Sequence, residues 1–263
     1  MRNLLNRITV LVVSLVLLAS VASASAAQPP NALYQVSTIN ALLQGVYDGE
    51  VTIKDLKQHG SFGIGTLERL DGELIVLDGK FYQVKSTGEV VEVKNTVKTP
   101  FATVMDFHAD ITADLPNTTN FAELESALDK VIPDKNYIYA IRIDGSFTGK
   151  TRSIPGKSKP YPTLSEAAKT QSVFNIENTP GTIVGFWCPN YVNGINVTGY
   201  HLHFVSADRK SGGHILNGGI ASGKVQIARI SDFRMVLPSG SAFKEAALNK
   251  DYSAELNGVE KSK

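Results

Sequence analysis

The alternation of hydrophobic and polar residues changes its period several times along the chain, and most patterned stretches have the period of a β-strand. Apolar residues at helical spacing predict four helices, from Ser37 to Gly49 and over 53–59, 121–131 and 164–170. Period-two or continuous apolar runs predict strands over 61–70, 73–77, 81–84, 89–93, 137–147, 182–187, 200–206, 214–219, 224–229 and 233–237.

Two Asp-Gly pairs divide the first strands of this series. Asp71-Gly72 and Asp78-Gly79 stand between apolar runs, and each pair is typical of a tight hairpin turn, because both central positions need a positive φ. These turns predict a meander of antiparallel strands. The fold class is therefore α+β or mixed α/β, rich in strands and poor in helices.

The first 27 residues have a composition of their own. Arg2 and Arg7 precede an apolar run over 8–18, and small residues follow at 22–27. This pattern is typical of a secretory signal peptide with an Ala-x-Ala cleavage site. A retained membrane anchor is the alternative, although the run is shorter than the roughly 20 residues that span a bilayer. We expect residues 1–27 to be removed and the mature chain to be exported, without further attachment to a membrane.

Composition excludes several classes of protein. The chain has 263 residues, of which 43% are hydrophobic and 19% charged, which excludes a disordered chain. Its formal net charge is +1; without residues 1–27, 24 basic residues stand against 25 acidic ones, a net charge of −1. This balance excludes a strongly basic nucleic-acid-binding protein. Cys188 is the only cysteine, which excludes an internal disulfide and a multi-thiolate metal site.

Three of the five histidines lie close together in the sequence. His201 and His203 are two positions apart on a predicted strand, so their side chains point to one face. A polar, glycine-containing segment then turns the chain back and brings His214 beside them on the next strand. Three imidazoles with open positions are typical of a catalytic zinc site, although imidazole also binds iron, copper, nickel and cobalt. An exposed sheet face is the alternative; His59 and His108 have no such neighbours and are interpreted as structural.

Other charged residues are weaker candidates on local pattern alone. Glu73 begins an apolar strand, and Arg152 follows the long strand predicted over 137–147. Both are typical of ordinary surface residues. Glu255 and Glu260 belong to a weakly patterned tail that could be disordered.

Several short strings along the chain share the residues and spacing of one enzyme family. They are Gly65-Thr66-Leu67, Leu70-Asp71-Gly72-Glu73-Leu74, Asp78-Gly79-Lys80-Phe81-Tyr82-Gln83, Ile143-Asp144-Gly145-Ser146-Phe147, Thr151-Arg152-Ser153, Lys159-Pro160-Tyr161, Lys169-Thr170-Gln171, Gly181-Thr182-Ile183-Val184-Gly185-Phe186, Asn193-Gly194-Ile195, Gly199-Tyr200-His201-Leu202-His203-Phe204 and Ser211-Gly212-Gly213-His214. The last two strings are specific, whereas the Asp-Gly turns alone would be weak. Over roughly residues 42–260 the chain resembles the α-acetolactate decarboxylases.

The resemblance implies a zinc-dependent carboxy-lyase that converts 2-acetolactate, a 2-hydroxy-3-oxo acid, into acetoin and CO2, and a homodimer is expected. Two lobes that each contain a β-sheet would share one metal-containing cleft. We expect an N-terminal α/β domain over 28–177, a C-terminal β domain with the metal site over 178–240, and a tail over 241–263 that folds back toward the cleft.

The same resemblance implies the site residues. The zinc ligands would be His201, His203 and His214. The catalytic residues would be Thr66, Glu73, Arg152 and Glu260. Glu260 matches the position of the family's tail glutamate better than Glu255 does.

The chemistry of the implied substrate accounts for this set. Its own ketone accepts the electron pair that CO2 leaves, so a metal ion that stabilises the resulting enediolate is sufficient. Arg152 would hold the departing carboxylate as a bidentate donor. Glu73 or Glu260, with a pKa raised by burial, would then protonate one face of the enediolate. Two other functions stay open: an exported hydratase or hydrolase that uses a metal-bound hydroxide, and a metal-binding protein without catalysis.

Overall fold

The computed structural model describes residues 31–260, and the predicted signal peptide lies outside this range. The strands are β1 (Ala32–Val36), β2 (Val51–Thr52), β3 (Phe62–Thr66), β4 (Glu73–Leu77), β5 (Lys80–Val84), β6 (Val90–Glu92), β7 (Lys98–Thr99), β8 (Phe101–Met105), β9 (Ile111–Leu115), β10 (Ile138–Ser153), β11 (Ser172–Cys188), β12 (Gly199–Ser206), β13 (Gly212–Ile230) and β14 (Asp232–Val236). The helices are α1 (Ile39–Leu43), α2 (Ile53–Leu56), α3 (Phe121–Asp129), α4 (Leu164–Ala168), α5 (Ser241–Glu245) and α6 (Ser253–Glu260). Within 31–260, every helix is too short or too polar to cross a bilayer.

The strands form two large sheets, which confirms the strand-rich α+β class. The first sheet has seven strands in the order β14-β1-β8-β3-β4-β5-β6, antiparallel except for the parallel pair of β1 and β14. The short strands β2 and β7 pair with each other.

The second sheet closes on itself. Strand β10 pairs with both β11 and β13, and β12 also pairs with both, so these four strands form a hydrogen-bonded ring. Strand β9 adds to β13 from outside the ring. Register shifts in β10 opposite Gly-rich parts of β13 bend these long strands.

An apolar layer joins the two sheets. It takes Leu33, Ile64 and Val84 from the seven-stranded sheet and Ala140, Val184, Phe186 and Val205 from the ring, all in one buried cluster. Helix α3 packs Leu124 and Leu128 into a separate cluster with the other side chains of the ring. Strand β4 of the first sheet thereby lies in contact with β11, β12 and β13 of the ring.

One of the two predicted hairpin turns is confirmed and the other is wrong. Asp78 and Gly79 have φ values of +52° and +76° and join β4 directly to β5. Asp71-Gly72 makes no two-residue turn, because Thr66 pairs with Glu73 across a longer loop. The Gly72 N–H donates a hydrogen bond to the Ile154 carbonyl, which ties this loop to the end of β10.

Helix α4 begins with a capping box, in which the Thr163 hydroxyl accepts the Glu166 N–H and the Glu166 carboxylate accepts the Thr163 N–H. Helix α1, however, is capped by Thr38, whose hydroxyl accepts the Ala41 N–H. Ser37 has a φ of +64° and ends β1 instead.

The strands predicted over 214–219 and 224–229 are one continuous strand, β13. Five strands, β1, β2, β7, β8 and β9, were not predicted. The predicted domain boundary at 177/178 falls within the continuous strand β11. Strand β14, from the C-terminal part of the chain, completes the seven-stranded sheet beside β1.

Candidate metal centre and active site

Strand register places three of the predicted site residues in one row across the ring. Arg152 on β10 is the direct partner of His214 on β13, and His214 is also the partner of His203 on β12. His201 lies two residues before His203, on the same face. The three histidines, predicted from sequence spacing to converge, have side-chain nitrogens that all lie within 4.8 Å of one another.

Backbone geometry holds this row in place at Gly213. This residue has a φ of +130°, and a Cβ atom built on it would lie 2.4 Å from the Arg152 carbonyl oxygen. Only glycine allows β10 to approach β13 so closely beside His214.

The seven-stranded sheet contributes the opposite side of the site. Thr66 on β3 and Glu73 on β4 are direct cross-strand partners, and both are buried. The Thr66 hydroxyl donates a 2.7 Å hydrogen bond to the Gly72 carbonyl. His203 Nδ1 lies 3.2 Å from the Leu74 carbonyl oxygen, so a histidine of one sheet is held by the backbone of the other.

The tail brings Glu260 into the same place. Glu260 Oε2 lies 3.4 Å from His201 Nε2 and 3.5 Å from His214 Nε2, and Glu260 Oε1 lies 3.3 Å from Arg152 Nη2. Glu255, the alternative tail residue, lines a surface groove between α4 and α6. The structure therefore places Glu260 at the histidines and Glu255 away from them.

The donor set fits a divalent cation. Nε2 of His201 and Nε2 of His203 are 3.3 Å apart, and ligand atoms about 3.3–3.4 Å apart are what tetrahedral bonds of ~2.0–2.1 Å to zinc require. Glu260 Oε2, which faces two of these nitrogens, is buried without a hydrogen-bond donor among the described residues. A cation between the imidazoles and Glu260 Oε2 would give this buried oxygen a positively charged partner, while Glu260 Oε1 stays paired with Arg152.

Burial keeps the three imidazoles in the neutral form that binds metals. Desolvation lowers the pKa of His201, although the Glu260 charge opposes it. The pKa values of His203 and His214 lie well below the usual range, again chiefly through burial, with Arg152 and the neighbouring imidazoles adding to the effect. The Leu74 carbonyl favours the proton on Nδ1 of His203, which leaves the Nε2 lone pair directed at the centre.

Arg152 is flanked by two buried carboxyl groups. Its Nη1 lies 3.5 Å from Glu73 Oε1, and Glu260 binds on the Nη2 side. Burial raises the pKa of Glu73 to about 7; Arg152 opposes this increase, and the Glu260 charge adds to it. Arg152 Nε is buried without an acceptor among the described residues, so the guanidinium retains one donor for another anion.

A small cavity of about 30 Å³ opens onto these side chains. One half is polar and is formed by the site residues already described. The other half is apolar and was not predicted from the sequence; it is formed by Ile39, Leu42, Leu70, Phe101, Ile154 and Leu164. Their periodic positions identify them only as core residues, so no pattern distinguishes those that line the cavity.

These features together are those of an enzyme active site: a cavity with one polar and one apolar half, beside a buried histidine cluster able to hold a metal ion. Comparison with known proteins is consistent with this class. The sequence profile of the family described as Alpha-acetolactate decarboxylase matches residues 33–250, and the chain belongs to this family of carboxy-lyases.

Individual members of the family are similar to this chain along most of their length. The chain is 48% identical over 230 residues to the Alpha-acetolactate decarboxylase of Methanosarcina mazei, covering 87% of this chain and 80% of the relative. It is 41% identical over 237 residues to that of Bacillus subtilis, covering 89% and 93%. The crystal structure of the Bacillus subtilis protein superposes with a TM-score of 0.85, covering 88% of this chain and 99% of that one. The profile ends at residue 250, before α6 and Glu260.

Proposed function

We propose that this chain decarboxylates 2-acetolactate to acetoin and CO2 with a zinc ion held by His201, His203 and His214. The observation that carries the proposal is the row of Arg152, His214 and His203 on adjacent strands, because it sets a carboxylate-binding group beside a cluster able to bind a cation. The names and coverage of the relatives support the substrate.

Arg152 is proposed to bind the substrate carboxylate. It is 3% exposed, it lies at the cavity, and its Nε has no acceptor within residues 31–260. A planar guanidinium in a site of low dielectric binds a carboxylate tightly and in a fixed orientation. That orientation would set the bond to be broken, between the carboxyl carbon and the hydroxyl-bearing carbon.

When that bond breaks, CO2 leaves and the electron pair moves onto the ketone to give an enediolate. A divalent cation bound by the three imidazoles would supply the positive charge that stabilises this negative charge. The chain's own residues would supply the proton that completes the reaction.

Glu73 is proposed as the proton donor. With a pKa of about 7 it carries a proton in a substantial fraction of molecules at neutral pH, and it lines the cavity opposite the histidines. Delivery from one side gives one enantiomer of acetoin. Glu260 is proposed to pair with Arg152 and to exchange protons with Glu73 through the site, since the two carboxyl groups flank the same guanidinium.

Thr66 is proposed as a positioning residue. Its hydroxyl is committed to the Gly72 carbonyl, directly before Glu73. This bond fixes the start of β4, and with it the direction of the Glu73 side chain.

The test is acetoin formation from 2-acetolactate by the purified chain, with CO2 hydration measured in parallel. We expect acetoin formation that is lost with a chelator and restored by zinc. Hydration of CO2 without acetoin formation would instead favour the metal-hydroxide enzyme. Binding of zinc with neither activity would contradict the proposal.

We also propose that the chain is exported after removal of residues 1–27 and that it forms a homodimer. The sequence pattern of the first 27 residues supports the former. N-terminal sequencing of the secreted protein and light scattering on the purified one test the two statements separately.

A further inference from the structure

The segment that carries Glu260 is attached to the rest of the molecule at a few points. We call residues 239–260 the C-terminal strap. At its start, the Glu50 carboxylate accepts hydrogen bonds from the N–H groups of Ser239 and Gly240. Helix α5, which follows, has no buried residue. At its end, Leu256 and Val259 are buried against α1, α4 and their neighbours.

Between these points, two asparagines from outside the strap bind its backbone and side chains. Asn40 Nδ2 on α1 lies 3.4 Å from the carbonyl oxygens of both Leu248 and Lys250. Asn193 Nδ2 donates to Ser253 Oγ at 2.9 Å and lies 3.4 Å from Asp251 Oδ1.

The two asparagines belong to one small unit next to the site. The Asn40 N–H donates to the Gly194 carbonyl, so the start of α1 is bonded to the loop that carries Asn193. Ile39, the residue before Asn40, lines the cavity. The loop leads directly into β12, which carries His201 and His203. The strap is thus attached to elements that themselves form the site.

We infer that Asn40 and Asn193 are positioning residues that hold the start of α6 and thereby place the Glu260 carboxylate against His201, His214 and Arg152. The inference rests on the proposed zinc site, because Glu260 Oε2 lies against two of its histidines.

Helix geometry explains why the start of α6 must be held. Leu256 and Val259 are three residues apart and fix only which face of α6 is buried. A displacement of α6 by one residue would rotate Glu260 by about 100° and shift it by about 1.5 Å, enough to remove a carboxylate from contacts of 3.3–3.5 Å. The bonds from the two asparagines oppose this displacement.

The size of the cavity supports a strap that opens. A volume of about 30 Å³ holds only one or two water molecules, so a five-carbon acid enters only when a wall moves. Glu260 forms part of that wall. Within the C-terminal strap that carries Glu260, helix α5 has no buried residue, so this part of the strap is the least tightly packed.

The first measurement is tryptic cleavage at the exposed residues Lys244 and Lys250 of the zinc-loaded chain. In N40A/N193A we expect cleavage about tenfold faster than in the wild type, since each lost hydrogen bond accounts for a factor of a few. The control is N257A, which removes an exposed asparagine side chain of α6 that makes no hydrogen bond to another residue within 31–260. Cleavage of N40A/N193A no faster than that of N257A overturns the inference.

The second measurement is zinc affinity, by competition with a chromophoric chelator. We expect N40A/N193A and E260Q each to weaken zinc binding by about 10- to 100-fold. Added to E260Q, the two asparagine substitutions should have no further effect, because they act through Glu260. The inference is overturned if the asparagine substitutions weaken zinc binding equally in the wild-type chain and in E260Q. It is also overturned if they do not weaken zinc binding in the wild-type chain. N40D/N193A, in which residue 40 keeps its shape but loses the side-chain donor, should behave like N40A/N193A.

Acetoin formation is assayed on the same preparations. Absence of acetoin with the wild-type chain would refute the proposed decarboxylase, whereas the cleavage and zinc measurements still decide the role of the asparagines.

Discussion

Glu73 Oε1 lies 3.5 Å from Arg152 Nη1, although the two residues belong to different sheets and are 79 positions apart in the sequence. Both side chains are at least nine-tenths buried. A buried arginine normally compensates the charge of its carboxylate partner. Burial nevertheless raises the pKa of Glu73, and the charge of Glu260, which also pairs with Arg152, adds to this increase. One guanidinium shared by two carboxyl groups leaves one of them able to hold a proton.

Replacement of Glu73 by glutamine tests its role as proton donor. E73Q keeps the volume of the side chain but cannot release a proton, so we expect kcat to fall by about 10²- to 10⁴-fold while one zinc ion per chain is retained. E89Q, on the exposed turn after β5, is the matched control and should have normal turnover. Normal turnover in zinc-loaded E73Q would remove Glu73 from the mechanism.

The raised pKa of Glu73 also predicts how stability depends on pH in the chelator-treated chain. At a pH between the ordinary pKa of 4.5 and the raised pKa of about 7, Glu73 is protonated in the folded state and ionised in the unfolded state. The contribution of Glu73 to the free energy of unfolding is therefore present at low pH and is lost as the pH rises to about 7, by about 2–3 kcal/mol. Urea unfolding of the wild type and E73Q across this range measures it; parallel profiles for the two proteins would contradict the raised pKa.

Removal of one histidine should remove the metal. H203A deletes the residue that faces His214 across the strands and that binds the Leu74 carbonyl, so we expect zinc content to fall from one ion per chain to nearly none. H108A changes an exposed histidine outside the cluster and should leave zinc content unchanged. Equal zinc content in the two variants would place the metal elsewhere.

Substitution of Arg152 by lysine should impair substrate binding more than folding. An ammonium group keeps the charge but cannot form two parallel bonds to a carboxylate, so we expect kcat/KM for 2-acetolactate to fall about 100-fold, mainly through KM. R142K is the control on the same strand, because Arg142 also binds two carboxylates, those of Asp78 and Asp144, but outside the site. A similar loss in R142K would indicate a general effect on β10.

A methyl group at Gly213 should disturb both stability and metal binding. G213A introduces a clash with the Arg152 carbonyl at a φ that alanine avoids, and we expect a loss of about 2–4 kcal/mol in stability together with weaker zinc binding. G258A, in α6 with open space around it, should instead gain about 0.5–1 kcal/mol. Thermal unfolding of the two variants gives the comparison; a stable G213A with full zinc content would refute the packing argument.

The sequence predicts well those parts of the site that depend on local spacing. His201 and His203 share a face because of the period of a strand, and the turn before His214 is short enough to make it a neighbour. The local pattern around Glu73 and Arg152 is that of surface residues, and it says nothing about their burial. Their contact is created by the packing of one sheet against another, which no local pattern encodes; only the resemblance to the family indicated them.

Other features escaped prediction for similar reasons. Strand β1 is short, and its pairing with β14 joins residues 200 positions apart. The two halves of β13 read as separate strands because glycine and polar residues interrupt the apolar pattern where β10 and β13 bend. The helices of the tail have weak apolar faces, and they form where the body of the protein offers Asn40, Asn193 and an apolar groove.

His203 pairs with His214, and His214 pairs with Arg152, across adjacent strands. The site therefore forms only when these strands pair in the correct register. A slip of β13 by a single residue would turn His214 away from both partners and expose apolar neighbours in its place. Such a misassembled chain could still be compact, but it would not retain zinc. Zinc content after refolding would therefore count the correctly paired molecules, without any assay of the reaction.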